Sequence, residues 1–298
     1  MFLGFYKQSI KVIGFFVRCA QKTSYNIDVF QKCLKNRMLL YLVSNTRIGA
    51  IFNVIEYYGG DFVVGLVNNV PTGDLRLGVM LNDAAFKVFE LFLAAILCFI
   101  LPVPKYFKII FSRRTVRWLI ILLISSILLS IFNPERFWEA LFIGTAAAFP
   151  EEFIFRGIFL GYLLKTFKSS KYGVIISLVI STVLFSVYHF GNISNQNIEA
   201  TILQMFGVAG IGFMLGCLYV KTGSLLIPMI AHFFFDFFVT ITNGMQVSYK
   251  TQQFDPSTIS AVILQFLIFL LIGIMILKAK DSDGWRLTRL MYSENGNK

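Results

Sequence analysis

Charge is scarce in this 298-residue chain: Asp and Glu together number 16, Lys and Arg 27, and histidine occurs only twice. With 56% hydrophobic residues, 33 phenylalanines and a mean hydropathy of +0.71, the composition excludes an ordinary soluble domain. Cysteine is equally thin. Cys19, Cys33, Cys98 and Cys217 are scattered, lack the paired spacing of zinc or redox motifs, and carry no assigned chemistry. The early apolar run at residues 12–17 is short and flanked by Lys11 and Arg18, so no cleaved leader is expected. There is no His-Glu-x-x-His zinc helix and no Gly-x-Ser-Gly serine motif. Tyr58-Gly59-Gly60-Asp61 has only a superficial likeness to an aspartyl-type Gly-x-Gly-Asp, without its first glycine or a partner motif. No internal repeat marks the chain as a transporter.

What is present is apolar length. A crossing helix needs about 20 apolar residues. Seven runs qualify, at residues 84–101, 116–132, 138–164, 172–190, 198–220, 224–242 and 259–277. Lys and Arg concentrate before residue 48, in 105–117, in 165–171 and from 278 onward, which places those segments on the cytoplasmic side. Seven crossings would put the first basic segment on the wrong side. A weaker eighth at 48–70, carrying Glu56 and Asp61, restores the balance. The fold expected is therefore an all-α, polytopic transmembrane bundle of about eight spans with both termini cytoplasmic. Residues 1–47 are read as a basic cytoplasmic or interfacial segment, with Phe15, Phe16 and Val17 suited to the membrane surface. Residues 48–278 form the membrane domain, and 279–298 a polar, mobile tail. The net charge of +11 lies beside spans, so anionic lipid is the expected partner and nucleic acid is not. Gly207, Gly210, Gly212 and Gly216 are read as helix-packing positions.

An ionisable side chain at membrane depth costs a few kcal/mol and needs a partner or a purpose. The run Phe149-Pro150-Glu151-Glu152-Phe153-Ile154-Phe155-Arg156 sets two carboxylates and an arginine in mid-span. Glu152 and Arg156, at i and i+4, share a face and pair, either as a lock between helices or in support of a site. Glu151 points elsewhere and is expected to be without a local cation. Pro150 lacks an N–H and is expected to kink the span there and admit water. Both histidines, His189 and His232, lie in apolar spans, and His232 shares a face with Asp236. A glutamate and two imidazoles can deprotonate water, with an Asp or Arg to orient or polarise. The same Glu151, His189 and His232 could instead hold zinc.

These residues resemble the CAAX protease and bacteriocin-processing (CPBP, or Abi) family of membrane endopeptidases. Glu151-Glu152-x-x-x-Arg156 is similar to the first family motif, Phe185-x-x-x-His189 to the second and His232-x-x-x-Asp236 to the third. Thr222-Gly223-Ser224-Leu225 and Pro228 also fit, and the likeness covers residues 138–242. The resemblance implies Glu151 as catalytic base with His189, and Glu152, Arg156 and Phe185 in support. His232 with Asp236 would stabilise an oxyanion or position water. It implies a membrane-bound peptide or protein substrate and no required cofactor, zinc being the alternative. The bacterial plasma membrane is the expected location, and CAAX-type processing, peptide maturation or bacteriocin self-immunity the expected roles. Two other readings remain: a non-catalytic membrane immunity or regulatory protein, and a proton-coupled transporter.

Overall fold

The computed structural model describes residues 38–67, 75–109, 113–194, 196–244, 253–279 and 284–293. The surface-anchor reading of residues 15–17, Cys19 and Cys33 lie outside these residues. Among the described residues, every regular element is helical. In chain order they are α1 (Met38–Val67), α2 (Leu75–Ile100), α3 (Arg113–Phe132) and α4 (Phe137–Glu152). The last continues through a π-helix (Phe153–Leu160) into α5 (Gly161–Thr166). Then follow α6 (Gly173–Tyr188), α7 (Ile198–Thr222), α8 (Leu226–Asn243), α9 (Pro256–Lys278) and the short α10 (Arg286–Ser293). Residues 48–298 make one compact unit.

Among the described residues, four helical stretches are long and apolar enough to cross a membrane: Gly173–Ile193, Ile198–Thr222, Leu226–Asn243 and Pro256–Lys278. A fifth crossing is reached if the pair Leu119–Phe132 and Pro134–Thr166, bent by 109° between them, counts as one broken span. The chain is a multi-pass membrane protein. Eight crossings were expected, and the shortfall has a physical cause. α1 and α2 carry Glu56, Asp61, Asp83, Lys87 and Glu90, and Glu56 and Glu90 are turned into the bundle at 4% and 0% exposure. Hydropathy counts such residues as if they met lipid; burial among helices removes that cost.

Start and stop signals are local. Asn197 accepts the Ala200 N–H at the head of α7, and Gly223, at φ 61°, ends it. Asp255 accepts from the backbone of Ser257 and Thr258 at the head of α9, with Pro256 in the first turn. Hydrogen bonds from the Ser257 and Thr258 hydroxyls hold the Asp255 carboxyl below the ordinary carboxylate range. Between them, α7 and α9 pack backbone to backbone. A Cβ on Gly210 would lie 2.8 Å from both Cα and O of Phe266. Gly210→Ala is expected to force these helices apart and cost about 1–3 kcal/mol, the usual range for overpacking. Thermal unfolding in detergent checks it.

Several contacts gather the helix ends. Lys221 reaches the Ala279 carbonyl, Arg286 the Thr222 carbonyl and Tyr292 the Leu164 carbonyl. The Leu225 N–H donates to Tyr106. The 101–109 loop, the α5–α6 turn, the α7–α8 turn and α10 therefore meet at one end, which carries Lys105, Lys108, Lys165, Lys168, Lys171 and Arg286. At the other end lie Glu135, Glu139, Glu199 and Asp255, and Arg136 ties α4 to the end of α8 through the Thr242 carbonyl. The tail corrects an expectation. Within it, α10 buries Leu287 (0% exposed) and Met291 (5%) in the core formed with Leu160, Leu164 and Cys217. Their i, i+4 spacing gives a short polar segment one apolar stripe.

Candidate active site

The irregularity expected at Pro150 lies three residues further on. α4 runs through Pro150, and at its end the Phe153 N–H reaches the carbonyls of both Phe149 and Pro150. From there eight residues take the π form and are buried almost throughout. Wide π turns are rare and frequent at functional sites. Here the widened stretch begins directly after Glu151 and Glu152 and carries Arg156 on its second half-turn.

Two ionic groups are built around those carboxylates. In the first, Arg156 Nη1 donates to Glu152 Oε1 at 2.7 Å, with the arginine 1% and the glutamate 0% exposed. Arg156 Nη2 donates to the Gly212 carbonyl at 2.9 Å, and the guanidinium lies 4.2 Å from the Phe185 ring centre. A Cβ on Gly212 would stand 3.3 Å from Nη2 and 2.8 Å from Phe185, so a glycine on α7 makes room for this stack. His232 Nδ1 meets the same Glu152 oxygen at 3.0 Å, and its Nε2 faces Asp236 Oδ2 at 3.3 Å. The expected i, i+4 pairs, Glu152 with Arg156 and His232 with Asp236, both form. Both imidazole nitrogens of His232 face carboxylate oxygens, an arrangement satisfied when both carry protons.

The second group corrects the expectation of an unpaired Glu151. Lys87 of α2 lies 2.8 Å from Glu151 Oε1 and 2.8 Å from Glu90 Oε2. Its ammonium also donates to the Tyr188 hydroxyl at 3.1 Å, and that hydroxyl is 3.3 Å from Glu90 Oε1. Glu56 of α1 interacts electrostatically with Glu90, Lys87 and Glu151. A cation from another helix therefore compensates Glu151, which no reading of its own helix could find. The signal lay in the sequence all the same: Lys87 and Glu90 are ionisable residues inside an apolar run.

His189 begins the 3-10 turn after α6 and stacks edge-on to Phe185, 4.8 Å between ring centres. Its Nδ1 is 2.9 Å from the Phe185 carbonyl. A carbonyl only accepts, so Nδ1 carries the proton, and in the neutral ring Nε2 is left as an acceptor. Glu151 interacts electrostatically with both His189 and His232. The residues named from sequence thus converge from the α4–π helix, α6 and α8 on one interior region. The three zinc-ligand candidates do not form a metal cage as placed. Glu151 is held by Lys87, and His232 has a carboxylate at each ring nitrogen. Among the described residues no set of three His, Cys, Asp or Glu side chains is arranged to hold a metal ion.

Comparison with known families then bears on this site. Residues 133–238 match the family model described as type II CAAX prenyl endopeptidase Rce1-like. The segment is similar to an Rce1-like domain. It contains Glu151, Glu152, Arg156, Phe185, His189, His232 and Asp236, and it leaves out Glu56, Lys87 and Glu90. The uncharacterized protein YpbD of Bacillus subtilis (strain 168) is 32% identical over 106 residues, which is 36% of this chain and 46% of YpbD. The match thus covers about half of that relative's length. No solved structure matches the chain.

Proposed function

We infer that this protein is an intramembrane endopeptidase of the CPBP type that hydrolyses a membrane-bound peptide or protein with a water activated by Glu151 and His189. The observation that carries the reading is a buried carboxylate, Glu151, gathered with two histidines inside an Rce1-like domain. In this reading water sits between Glu151 and the open Nε2 of His189. Glu151 takes its proton as the oxygen attacks the scissile carbonyl carbon. His232 Nε2, held only loosely by Asp236 at 3.3 Å, turns its N–H towards the carbonyl oxygen as negative charge develops there. The C–N bond breaks, and the proton passes from Glu151 to the leaving amine. Arg156, Glu152 and Phe185 keep His232 in place. No step is assigned to a metal.

The finer topology belongs to the same proposal. Charged helices α1 and α2, α3, the α4–π–α5 rod and α6 to α9 make eight crossings, with both ends of the membrane domain at the basic, cytoplasmic face. The basic residues collected at one helix end support it. Within the tail, α10 docks on the membrane domain through Leu287 and Met291. Anionic lipid meets the basic end, and the bilayer is a bacterial plasma membrane. Peptide maturation, bacteriocin self-immunity and CAAX-type processing all remain within this substrate class.

One observation favours a second reading. Glu151 is already in an ion pair, as a carboxylate in a purely structural or binding role would be. That describes a non-catalytic immunity or regulatory protein. The test is to incubate the purified full chain in detergent with a membrane-peptide library and identify products by mass spectrometry, with and without a zinc chelator. Cleavage that survives chelation is expected. Loss on chelation, restored by added zinc, contradicts the metal-free scheme.

A further inference from the structure

The ionic group around Lys87 reaches Glu151 from outside the Rce1-like segment, and its outer members, Glu56, Lys87 and Glu90, are not used in the chemistry above. It joins four elements: Glu56 from α1, Lys87 and Glu90 from α2, Glu151 from α4 and Tyr188 from α6. Its carboxylates are well enclosed, with Glu90 at 0%, Glu56 at 4% and Glu151 at 5% exposure, while the Lys87 side chain is 17% exposed. Asp83, four residues before Lys87 on α2, is a further electrostatic neighbour of the ammonium. Buried charges survive only when paired and hydrogen-bonded. One ammonium here faces three glutamates, so Lys87 is the cation on which the whole group depends.

The geometry is directional. Lys87 touches Oε1 of Glu151, and Glu90 and the Tyr188 hydroxyl take two further directions of the ammonium. Phe86 and Tyr188 rings flank it at 5.9 and 5.6 Å. Two of the ammonium's donors go to Glu151 and Tyr188, and the Glu90 carboxylate pairs with it at 2.8 Å. Lys87 is thus fixed from α2 and α6, and in turn fixes one oxygen of Glu151, leaving the other for water. Tyr188 stands next to His189 in sequence, with ring centres 5.3 Å apart. The network that fixes Lys87 therefore also abuts the second member of the water-activating pair.

We propose that Lys87 is a positioning residue for hydrolysis, holding Glu151 in register with His189 through an ionic lattice that α1 and α2 contribute to the Rce1-like domain. This rests on the peptidase reading above. It implies that the catalytic unit is larger than residues 133–238, because the carboxylate of the first motif is oriented by a helix outside it.

The test uses full-length protein in detergent and a peptide found to be cleaved by the wild type. Lys87→Met is expected to lower kcat about 100-fold, the scale of a misplaced reacting group, with KM little changed. Lys87→Arg, which keeps the charge, should recover most of that loss. Lys221→Met is the control. Lys221 is a buried lysine, hydrogen-bonded to the Ala279 carbonyl at the basic end, so its loss should lower the melting temperature and leave kcat unchanged. Melting temperatures of Lys87→Met, Glu151→Gln and the double variant close a cycle that needs no activity. Shifts in the double variant well short of the sum of the singles are expected for residues in contact. Additive shifts, or wild-type kcat in Lys87→Met, overturn the proposal. If the wild type cuts no peptide, the peptidase reading has failed, and the melting cycle alone decides whether Lys87 holds Glu151.

Discussion

Glu151→Gln is expected to lower kcat by about 10²- to 10⁴-fold, the usual worth of a positioned general base, while the protein still folds. The substitution keeps the side-chain shape. Its amide oxygen can still accept from Lys87, which sits 2.8 Å from Oε1 in the native protein. Lys87 also keeps Glu90 and, more distantly, Glu56 as compensating charges. What the amide cannot do is take a proton from water. A preserved melting temperature with lost cleavage is therefore the predicted pairing, measured by thermal unfolding and product mass spectrometry on one preparation. Cleavage at the wild-type rate would remove Glu151 from the chemistry and give the non-catalytic reading the better account of its ion pair.

The largest effect on stability is expected at Arg156. Its guanidinium is 1% exposed and satisfies three neighbours at once: Glu152 at 2.7 Å, the Gly212 carbonyl at 2.9 Å and the Phe185 ring at 4.2 Å. Arg156→Met keeps the packing of the stem and deletes the charge. That leaves Glu152 as a buried carboxylate with only His232 to compensate it, and leaves the Gly212 carbonyl without this donor. Breaking one side of a buried pair costs about 3–5 kcal/mol. Arg156→Lys should recover only part of this, because a single ammonium lacks the planar fork that reaches Glu152 and Gly212 together. Melting of the three proteins in detergent checks the order, with wild type highest and Arg156→Met lowest. A wild-type melting temperature for Arg156→Met would mean that the pair contributes nothing to the fold.

How much of this was legible from sequence depends on whether a feature lies on one helix or between two. Glu152 with Arg156, and His232 with Asp236, follow from the helical period alone, and both pairs form as expected. Apolar length identified the spans from residue 172 onward for the same reason. The partner of Glu151 was not legible, because Lys87 lies 64 positions away and helix adjacency leaves no mark on local pattern. Glu56 and Glu90 were legible in kind only. Each is an ionisable residue in an apolar run, and weighing Glu56 against a membrane span concealed that it faces the interior. The π-helix has no sequence signature beyond the nearby proline, since its register comes from packing. α10 was missed because the apolar residues of a polar tail look scattered until Leu287 and Met291 are placed four apart on one face.

The central claim is that water, activated at Glu151, ends up in the product. The most direct measurement is cleavage in water enriched in oxygen-18, comparing wild type and Glu151→Gln by mass spectrometry of the new carboxyl terminus. One solvent oxygen is expected in the carboxylate released by the wild type, with labelled product from Glu151→Gln forming about 10²- to 10⁴-fold more slowly. Labelled product formed equally by Glu151→Gln would contradict that claim.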